Sequence, residues 1–219
     1  MAIELVIFDC DGVLIDSEGI SGRVLITALA KLGVEVDFDY CCVNWVGRSF
    51  PTVAQNIRDT FDLVLPEDFE RRYRADLLTA FETELTATAG VEAAIQGLPV
   101  PSCVATSSSP ERVARSLFIT NLAPFFGPHV FTASEVKNGK PAPDLFLHTA
   151  KKMGVKPEAC LVIEDSLPGV QAAQAAGMDV LRFTGGVHLN GRVLKHPPEV
   201  ETFDSWPQMF VFRPELNKR

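Results

Sequence analysis

The 219-residue sequence has no Cys-x-x-Cys pair, no run of about 18 apolar residues and no long run of lysine and arginine. The first absence argues against a structural zinc site, whose cysteine ligands usually come in closely spaced pairs. The second argues against a membrane-spanning helix. The third, together with a formal net charge of −8, argues against a nucleic-acid-binding surface. The first residues also lack the basic segment of a signal peptide, and their apolar run is too short for one.

The five cysteines give no sign of a disulfide framework. Their number is odd, and Cys10, Cys103 and Cys160 lie in apolar segments, where a free thiol packs as a small hydrophobic group. Disulfide bonds are rare in the reducing cytoplasm. We therefore expect all five thiols to be reduced and the protein to be cytoplasmic.

Short apolar segments typical of buried parallel strands recur at residues 3–8, 102–106, 159–163 and 179–183. Segments in which apolar residues have helical spacing lie among them, at 110–118, 144–153 and 168–176. Strands that alternate with helices predict an α/β fold with a doubly wound parallel sheet. The proline-rich segment 197–207 is interpreted as a closing loop.

Residues 18–83 interrupt this alternation. They show no convincing buried strand, and apolar residues at helical spacing predict helices at 27–32, 51–61 and 67–81. We interpret the stretch as an inserted helical cap. The predicted core then comprises residues 1–17 and 84–219, and the predicted cap comprises residues 18–83. Within the last cap helix, the run Arg71-Arg72-Tyr73-Arg74 is interpreted as a solvated face.

Polar side chains follow three of the predicted strands at the point where each strand ends. Taken strand by strand, they are Asp9 with Asp11, Thr106 with Ser107, and Glu164 with Asp165. Open parallel sheets bind their ligands at the carboxyl ends of the strands. These residues, far apart in the sequence, are therefore predicted to meet in one crevice.

Asp9 and Asp11 are two residues apart, which places both side chains on the same side of an extended chain. Neighbouring carboxylates stay ionised only beside a cation or another positive charge. With Glu164 and Asp165, the site would gather four acids, and such hard oxygen ligands favour magnesium. One carboxylate could then attack phosphorus, while the second gives a proton to the leaving oxygen and later activates water.

Other residues nearby would hold a phosphate group. Thr106 supplies a hydroxyl, and the backbone N–H groups of Ser107 and Ser108 lead toward a helix N-terminus. Lys140, in Gly-Lys-Pro-Ala-Pro, offers a positive charge that would bind a transferring phosphoryl group. Taken singly, these features also fit a turn, a helix cap and a surface loop. Their joint placement after consecutive strands favours a catalytic site.

The segment 8–18, Phe-Asp-Cys-Asp-Gly-Val-Leu-Ile-Asp-Ser-Glu, resembles the signature of the haloacid dehalogenase-like (HAD) superfamily. The order Asp-x-Asp, Thr, Lys-Pro-x-Pro, Glu-Asp-Ser is similar to the four motifs of that superfamily and spans residues 8–177. The resemblance implies a Rossmann-like core. It implies that Asp9 is the nucleophile and a magnesium ligand. It also implies that Asp11 is the general acid and base and lends its backbone carbonyl to the metal.

For the remaining motifs, the resemblance implies that Thr106 and Lys140 hold the phosphoryl group. It also implies that Glu164 and Asp165 hold Mg²⁺. True dehalogenases lack the second aspartate of the first motif, so Asp11 favours phosphoryl transfer.

The helical insert resembles the cap of the β-phosphoglucomutase-like, sugar-phosphatase branch. β-Phosphoglucomutases have a histidine on the first cap helix, ten residues after the second aspartate, where this sequence has Ser21. This difference favours a phosphatase. The segment Val46-Gly47-Arg48-Ser49 resembles the substrate-contacting cap loop and implies that Arg48 contacts substrate; the alternative is an ordinary surface arginine. The whole pattern is also similar to that of bacterial 6-phosphogluconate phosphatases.

We therefore expect a magnesium-dependent phosphatase that acts on a small phosphorylated metabolite, either a sugar phosphate or a phosphorylated sugar acid. We expect a monomer with neither a nucleic-acid nor a membrane partner. Two alternatives stay open: phosphoryl transfer of the β-phosphoglucomutase type, and a non-catalytic phospho-acceptor regulator. The cap and Asp11 argue against the regulator, which needs neither a lid over a substrate nor an acid for a leaving group.

Overall fold

The computed structural model of the protein describes residues 2–192 and 197–217. Within them, six strands form one sheet: β1 Leu5–Phe8, β2 Ser102–Thr106, β3 Val130–Thr132, β4 Cys160–Glu164, β5 Asp179–Phe183 and β6 Thr202–Phe203. Their order is β3-β2-β1-β4-β5-β6, and each neighbouring pair is parallel. The first strand is therefore central. The strand order reverses beside it, which is where open α/β sheets bind ligands.

Helices connect the strands and fill most of the chain between β1 and β2. In the described residues they are α1 Glu18–Ala30, α2 Phe38–Asn44, α3 Phe50–Phe61, α4 Phe69–Glu84, α5 Val91–Gln96, α6 Pro110–Ile119, α7 Ala123–Phe126, α8 Asp144–Met153, α9 Leu167–Ala175 and α10 Trp206–Phe212. Local signals set several of their ends. The Ser109 side chain accepts the backbone N–H of Arg112 at the start of α6, and Gly154 ends α8 with φ +71°.

Alternate residues of β1 enter two separate apolar clusters, because successive side chains of a strand point to opposite faces. Leu5 and Ile7 pack with residues of α8 and α9 on one face. Val6 and Phe8 belong to the cluster on the other face, where Phe8 meets Trp206 of α10 at a ring-centroid distance of 5.9 Å. Helices thus cover both faces of the sheet, which confirms the predicted doubly wound α/β fold.

The helices α1 to α4, here called the helical insert, pack on one another and on the core. α1 contacts α2 and α4, and α4 contacts α6. Arg115 of α6 donates two hydrogen bonds to the carboxylate of Glu82 in α4, at 2.6 and 2.7 Å. The division of the chain into a core and a separate cap domain at residues 18–83 stays a prediction.

The four predicted strands are present, with ends that differ by at most two residues. The pattern missed β3 and β6, which have three and two residues, too few to show a period. The interpretation of 197–207 as a closing loop is wrong, because β6 and the start of α10 lie there. No helix in the described parts of the chain is both long enough and apolar enough to span a bilayer.

Candidate active site

The carboxyl ends of three adjacent strands place polar side chains next to one another. Asp9 follows β1 directly, and its backbone N–H donates to the carbonyl of Ile163 in β4 at 2.9 Å. Thr106 ends β2 and Glu164 ends β4, the two strands that flank β1. The parallel pairing therefore gathers at one edge residues that are far apart in the sequence.

Lys140 supplies the positive charge at the centre of this group. Its Nζ donates to Asp9 Oδ1 at 2.8 Å, to Glu164 Oε1 at 2.6 Å and to the Ala105 carbonyl at 3.2 Å. Burial lowers the pKa of Lys140, but the carboxylates of Asp9 and Glu164 outweigh that effect and hold the pKa above its ordinary value. Lys140 is therefore a cation beside Asp9 throughout the physiological pH range.

The single positive charge of Lys140 cannot balance the three neighbouring carboxyl groups of Asp9, Glu164 and Asp165. Burial raises the pKa of the Asp9 and Asp165 carboxyls, Glu164 raises it further, and Lys140 opposes the shift. Ligand oxygens of Asp9, Glu164 and Asp165 all lie within 4.8 Å of one another. Such a set of hard oxygen donors fits a divalent cation of the magnesium type.

Asp165 has unpartnered oxygens, whereas Glu164 does not. Glu164 Oε1 accepts from Lys140, and its Oε2 accepts the backbone N–H and the hydroxyl of Ser166 at 2.8 and 2.9 Å. No described residue donates a hydrogen bond to either carboxylate oxygen of Asp165, although His188 Nε2 lies 2.9 Å from Oδ2. A buried carboxylate without donors is costly. Asp165 therefore fits a cation better than Glu164 does.

Asp11 is held by three donors. The hydroxyls of Ser17 and Ser108 each donate to it at 2.5 Å, and Arg112 Nη2 donates at 2.6 Å. Burial raises the pKa of Asp11, but the ion pair with Arg112 and the two hydroxyls outweigh it, and the pKa is lowered. Arg112 Nη2 also donates to Ser21 Oγ at 2.9 Å. Asp11 is therefore ionised and held in position in the free protein.

The loop between β2 and α6 carries three predicted phosphate-binding residues. Thr106 is buried, and its hydroxyl accepts the backbone N–H of Ser108 at 3.1 Å. The Ser107 hydroxyl donates to the carbonyl of Gly47 in the helical insert at 3.0 Å. The loop runs directly into the N-terminus of α6, where backbone N–H groups favour an anion.

A cavity of about 430 Å³ opens above these groups, between the edge of the sheet and the helical insert. Six of the nine predicted site residues line it, namely Asp9, Asp11, Arg48, Thr106, Ser107 and Ser108. The other three, Lys140, Glu164 and Asp165, lie beneath and are close to Asp9. All nine side chains thus lie at one place in the fold, while the role of each stays a prediction.

The helical insert forms the wall of the cavity opposite Asp9. Its loop between α2 and α3 approaches the core at Gly47, where φ is +78° and an added Cβ would lie 2.2 Å from Ser166 Oγ. Only glycine tolerates both that backbone conformation and that approach. Arg48 follows it in the cavity wall and has no ion pair within the part of the chain that the structure describes.

Two groups in the site were not foreseen from the sequence. The interpretation of residues 71–74 as a solvated face holds for Arg71 and Arg72 but is wrong for Tyr73 and Arg74, which line the cavity. Arg112, the partner of Asp11, was missed altogether. Its only signal is its place three residues after the capping Ser109, which does not distinguish a cavity-facing arginine from a solvated one.

The comparisons with known proteins agree with this geometry. The profile of haloacid dehalogenase-like hydrolases matches residues 3–177. The chain is 31% identical to the 6-phosphogluconate phosphatase of Escherichia coli K12, across 99% of this chain and 95% of that protein. It is 30% identical to the phosphorylated carbohydrates phosphatase of Thermotoga maritima, across 85% of this chain and 86% of that one.

A solved structure supports the same grouping. A haloacid dehalogenase-like protein of unknown function from Agrobacterium tumefaciens superposes with a TM-score of 0.79 at 29% identity, covering 98% of this chain and 99% of that one. These similarities confirm the resemblance drawn from the four sequence motifs. The protein belongs to the haloacid dehalogenase-like hydrolase family, in the branch that contains sugar phosphatases, and it is a phosphoric monoester hydrolase.

Proposed function

We propose that the protein is a magnesium-dependent phosphatase that hydrolyses a small phosphorylated sugar or sugar acid through a phosphorylated Asp9. The observation that carries the proposal is the contact of Asp9 with the fully buried Lys140 at the floor of a cavity of metabolite size. The site offers a carboxylate nucleophile beside a cation and an anion-binding loop, which are the elements that phosphoryl transfer requires. The names of the relatives, phosphatases of 6-phosphogluconate and of phosphorylated carbohydrates, support the substrate class.

The substrate's phosphoryl group would be held by the Thr106 hydroxyl, by the backbone N–H groups of Ser107 and Ser108 and by Lys140. Magnesium, when bound, would neutralise charge on the phosphoryl group and on the carboxylates around it. Asp9, Glu164, Asp165 and the backbone carbonyl of Asp11 would hold the ion. The unpartnered oxygens of Asp165 make it the ligand with most to gain from the cation.

In the first chemical step, a carboxylate oxygen of Asp9 attacks phosphorus, and the bond between phosphorus and the ester oxygen breaks. Asp11 gives its proton to the leaving oxygen. In the second step, water attacks phosphorus, Asp11 takes the proton from that water, and the bond to Asp9 breaks to release inorganic phosphate. Arg112 favours the ionised form of Asp11 in the free protein, so the proton must be taken up as substrate binds.

Ser21 favours hydrolysis over the mutase alternative. Its hydroxyl donates to the Ser17 carbonyl and accepts from Arg112, both at 2.9 Å. A serine hydroxyl does not take up or release a proton near neutral pH, whereas the histidine that β-phosphoglucomutases have at the corresponding position can. Arg48, without an ion pair among the described residues, would contact an anionic group on the part of the substrate that is not transferred.

The test is release of inorganic phosphate from a panel of sugar phosphates and phosphorylated sugar acids, with and without magnesium. We expect magnesium-dependent release by the wild-type protein and none by Asp9→Asn, which keeps the shape of the side chain but not the nucleophile. Equal turnover by the two proteins would contradict the proposal. Conversion of a hexose 1-phosphate to its 6-phosphate without phosphate release would favour the mutase, and no turnover of any compound would favour the regulator.

A further inference from the structure

Tyr73 is a polar residue in the cavity wall that the proposed chemistry does not use. It lies on α4, is 6% exposed and lines the same cavity as Asp9. No residue of the described ranges hydrogen-bonds its hydroxyl, although a buried tyrosine usually finds a partner. The hydroxyl oxygen nevertheless remains in contact with solvent. The cavity is therefore where the missing partner would be.

The ring of Tyr73 is held in place by its neighbours. Phe50 of α3 stacks on it with the ring centroids 5.2 Å apart and the planes at 18°. Phe50 in turn stacks on Phe69, with the ring centroids 6.5 Å apart. The Arg74 guanidinium lies 5.7 Å from the ring centroid of Phe50. Packing on this side keeps the hydroxyl in one place, which is what a selective binding group requires.

The Tyr73 hydroxyl remains protonated in the working pH range. Burial raises the pKa of Tyr73 to about 12; Arg112 opposes this shift, and Glu18 and Asp11 add to it. A protonated phenol both donates and accepts a hydrogen bond. It can therefore pair with a substrate hydroxyl group, which also donates and accepts.

We infer that Tyr73 is a specificity-determining residue whose hydroxyl binds a hydroxyl group of a sugar or sugar-acid substrate. The inference rests on the proposed function. It adds to that function a residue that distinguishes a substrate with several hydroxyl groups from one with none. A substrate without hydroxyl groups would cover Tyr73 and leave its buried oxygen unpaired, and such a loss gives strong discrimination.

The experiment compares two substrates with Tyr73→Phe, which removes a single oxygen. The substrates are 6-phosphogluconate and 6-(phosphonooxy)hexanoate, the phosphate ester of 6-hydroxyhexanoate. The two have the same chain length, carboxylate and phosphate, but only the first carries free hydroxyl groups. We expect wild-type protein to prefer 6-phosphogluconate. Tyr73→Phe should lower kcat/KM for 6-phosphogluconate by about tenfold and should raise, or at least not lower, kcat/KM for the other compound, whose complex no longer buries an unpaired oxygen.

Tyr40→Phe is the matched control, because Tyr40 packs against Trp45 and Phe61 in the insert and does not line the cavity. Tyr40→Phe should change kcat/KM for neither substrate. Competitive inhibition of aryl phosphate hydrolysis by gluconate and by hexanoate gives a second measurement, in which Tyr73→Phe should weaken inhibition by gluconate alone.

Several outcomes would overturn the inference while phosphatase activity stands. These are equal losses on both substrates, no loss on either, and a wild-type protein without preference for the hydroxylated compound. A wild-type protein that hydrolyses no phosphate ester with magnesium would instead overturn the proposed function, and this inference with it.

Discussion

Lys140 is the residue on which the buried charges of the site depend. It contacts Asp9 and Glu164, and neither Lys140 nor Glu164 has exposed side-chain surface. Breaking a buried ion pair leaves an uncompensated charge, which typically costs about 3–5 kcal/mol. We expect Lys140→Met to lower the free energy of unfolding by about 3 kcal/mol and to abolish phosphate release. Denaturant unfolding without magnesium measures the first effect.

Asp9→Asn supplies the control for that prediction. It removes one of the two charges that Lys140 compensates, so the double variant should be more stable than the sum of the single effects implies. Strict additivity would show that the contact between Lys140 and Asp9 contributes no stability.

Two cysteines of α2 offer a second test at the same scale. Burial raises the pKa of Cys41 to about 12 and that of Cys42 to about 11. At pH 8, roughly one Cys42 in a thousand is then a thiolate, against about a quarter of unperturbed thiols. We expect native protein to react slowly with an aromatic disulfide reagent, and all five cysteines to react rapidly in denaturant. Rapid reaction of native protein, lost in Cys42→Ser, would contradict this.

The site residues divide into those that sequence could predict and those that it could not. Asp9 directly follows a strand, Thr106 and Glu164 are the last residues of theirs, and a parallel sheet brings the ends of its strands together. Arg112 and Tyr73 lie on helices, where local spacing does not show which side chain faces a cavity. Their positions depend on how α4 packs against α6, which is a property of the tertiary structure.

At the scale of elements, α1 approaches α2 closely at Gly22. A Cβ added there would lie 2.5 Å from the ring of Phe38, whereas one added at Gly19 would meet nothing within 4 Å. Helical alanine is more favourable than glycine by up to about 1 kcal/mol, but overpacking costs about 1–3 kcal/mol. We expect Gly22→Ala to lower the free energy of unfolding by roughly 1 kcal/mol and Gly19→Ala not to lower it.

Urea denaturation of the two variants under identical conditions measures that difference. Equal effects would mean that α2 moves aside without cost.

Sequence patterns were able to predict helices of several turns, as α8 shows. The edge strand β3 and the short β6 were not predicted, because their pairing with β2 and β5 defines them rather than any period of their own.

At the scale of the whole molecule, Gly47 sets how closely the helical insert lies over the core. Alanine there would combine an unfavourable φ of +78° with an approach of 2.2 Å to Ser166 Oγ. We expect Gly47→Ala to lower kcat/KM by at least about tenfold, since small displacements of binding groups are costly in catalysis. The circular dichroism spectrum should not change.

Gly33→Ala is the matched control for Gly47→Ala. Gly33 also has a positive φ, +80°, but an added Cβ would meet nothing within 4 Å. It therefore reports backbone strain without the contact to the core. Similar kinetic losses in the two variants would show that strain, and not the seating of the insert, is responsible.

The central position of β1 has a consequence for synthesis. Leu5–Phe8 pairs with β2 and β4, and the whole helical insert separates it from the first of these strands. Because a chain emerges from the ribosome at about 5–20 residues per second, this apolar segment waits for its partner strands while α1 to α4 are being synthesised. The part of the sheet that is least accessible in the finished protein is therefore the part that spends longest exposed to chaperones and to aggregation.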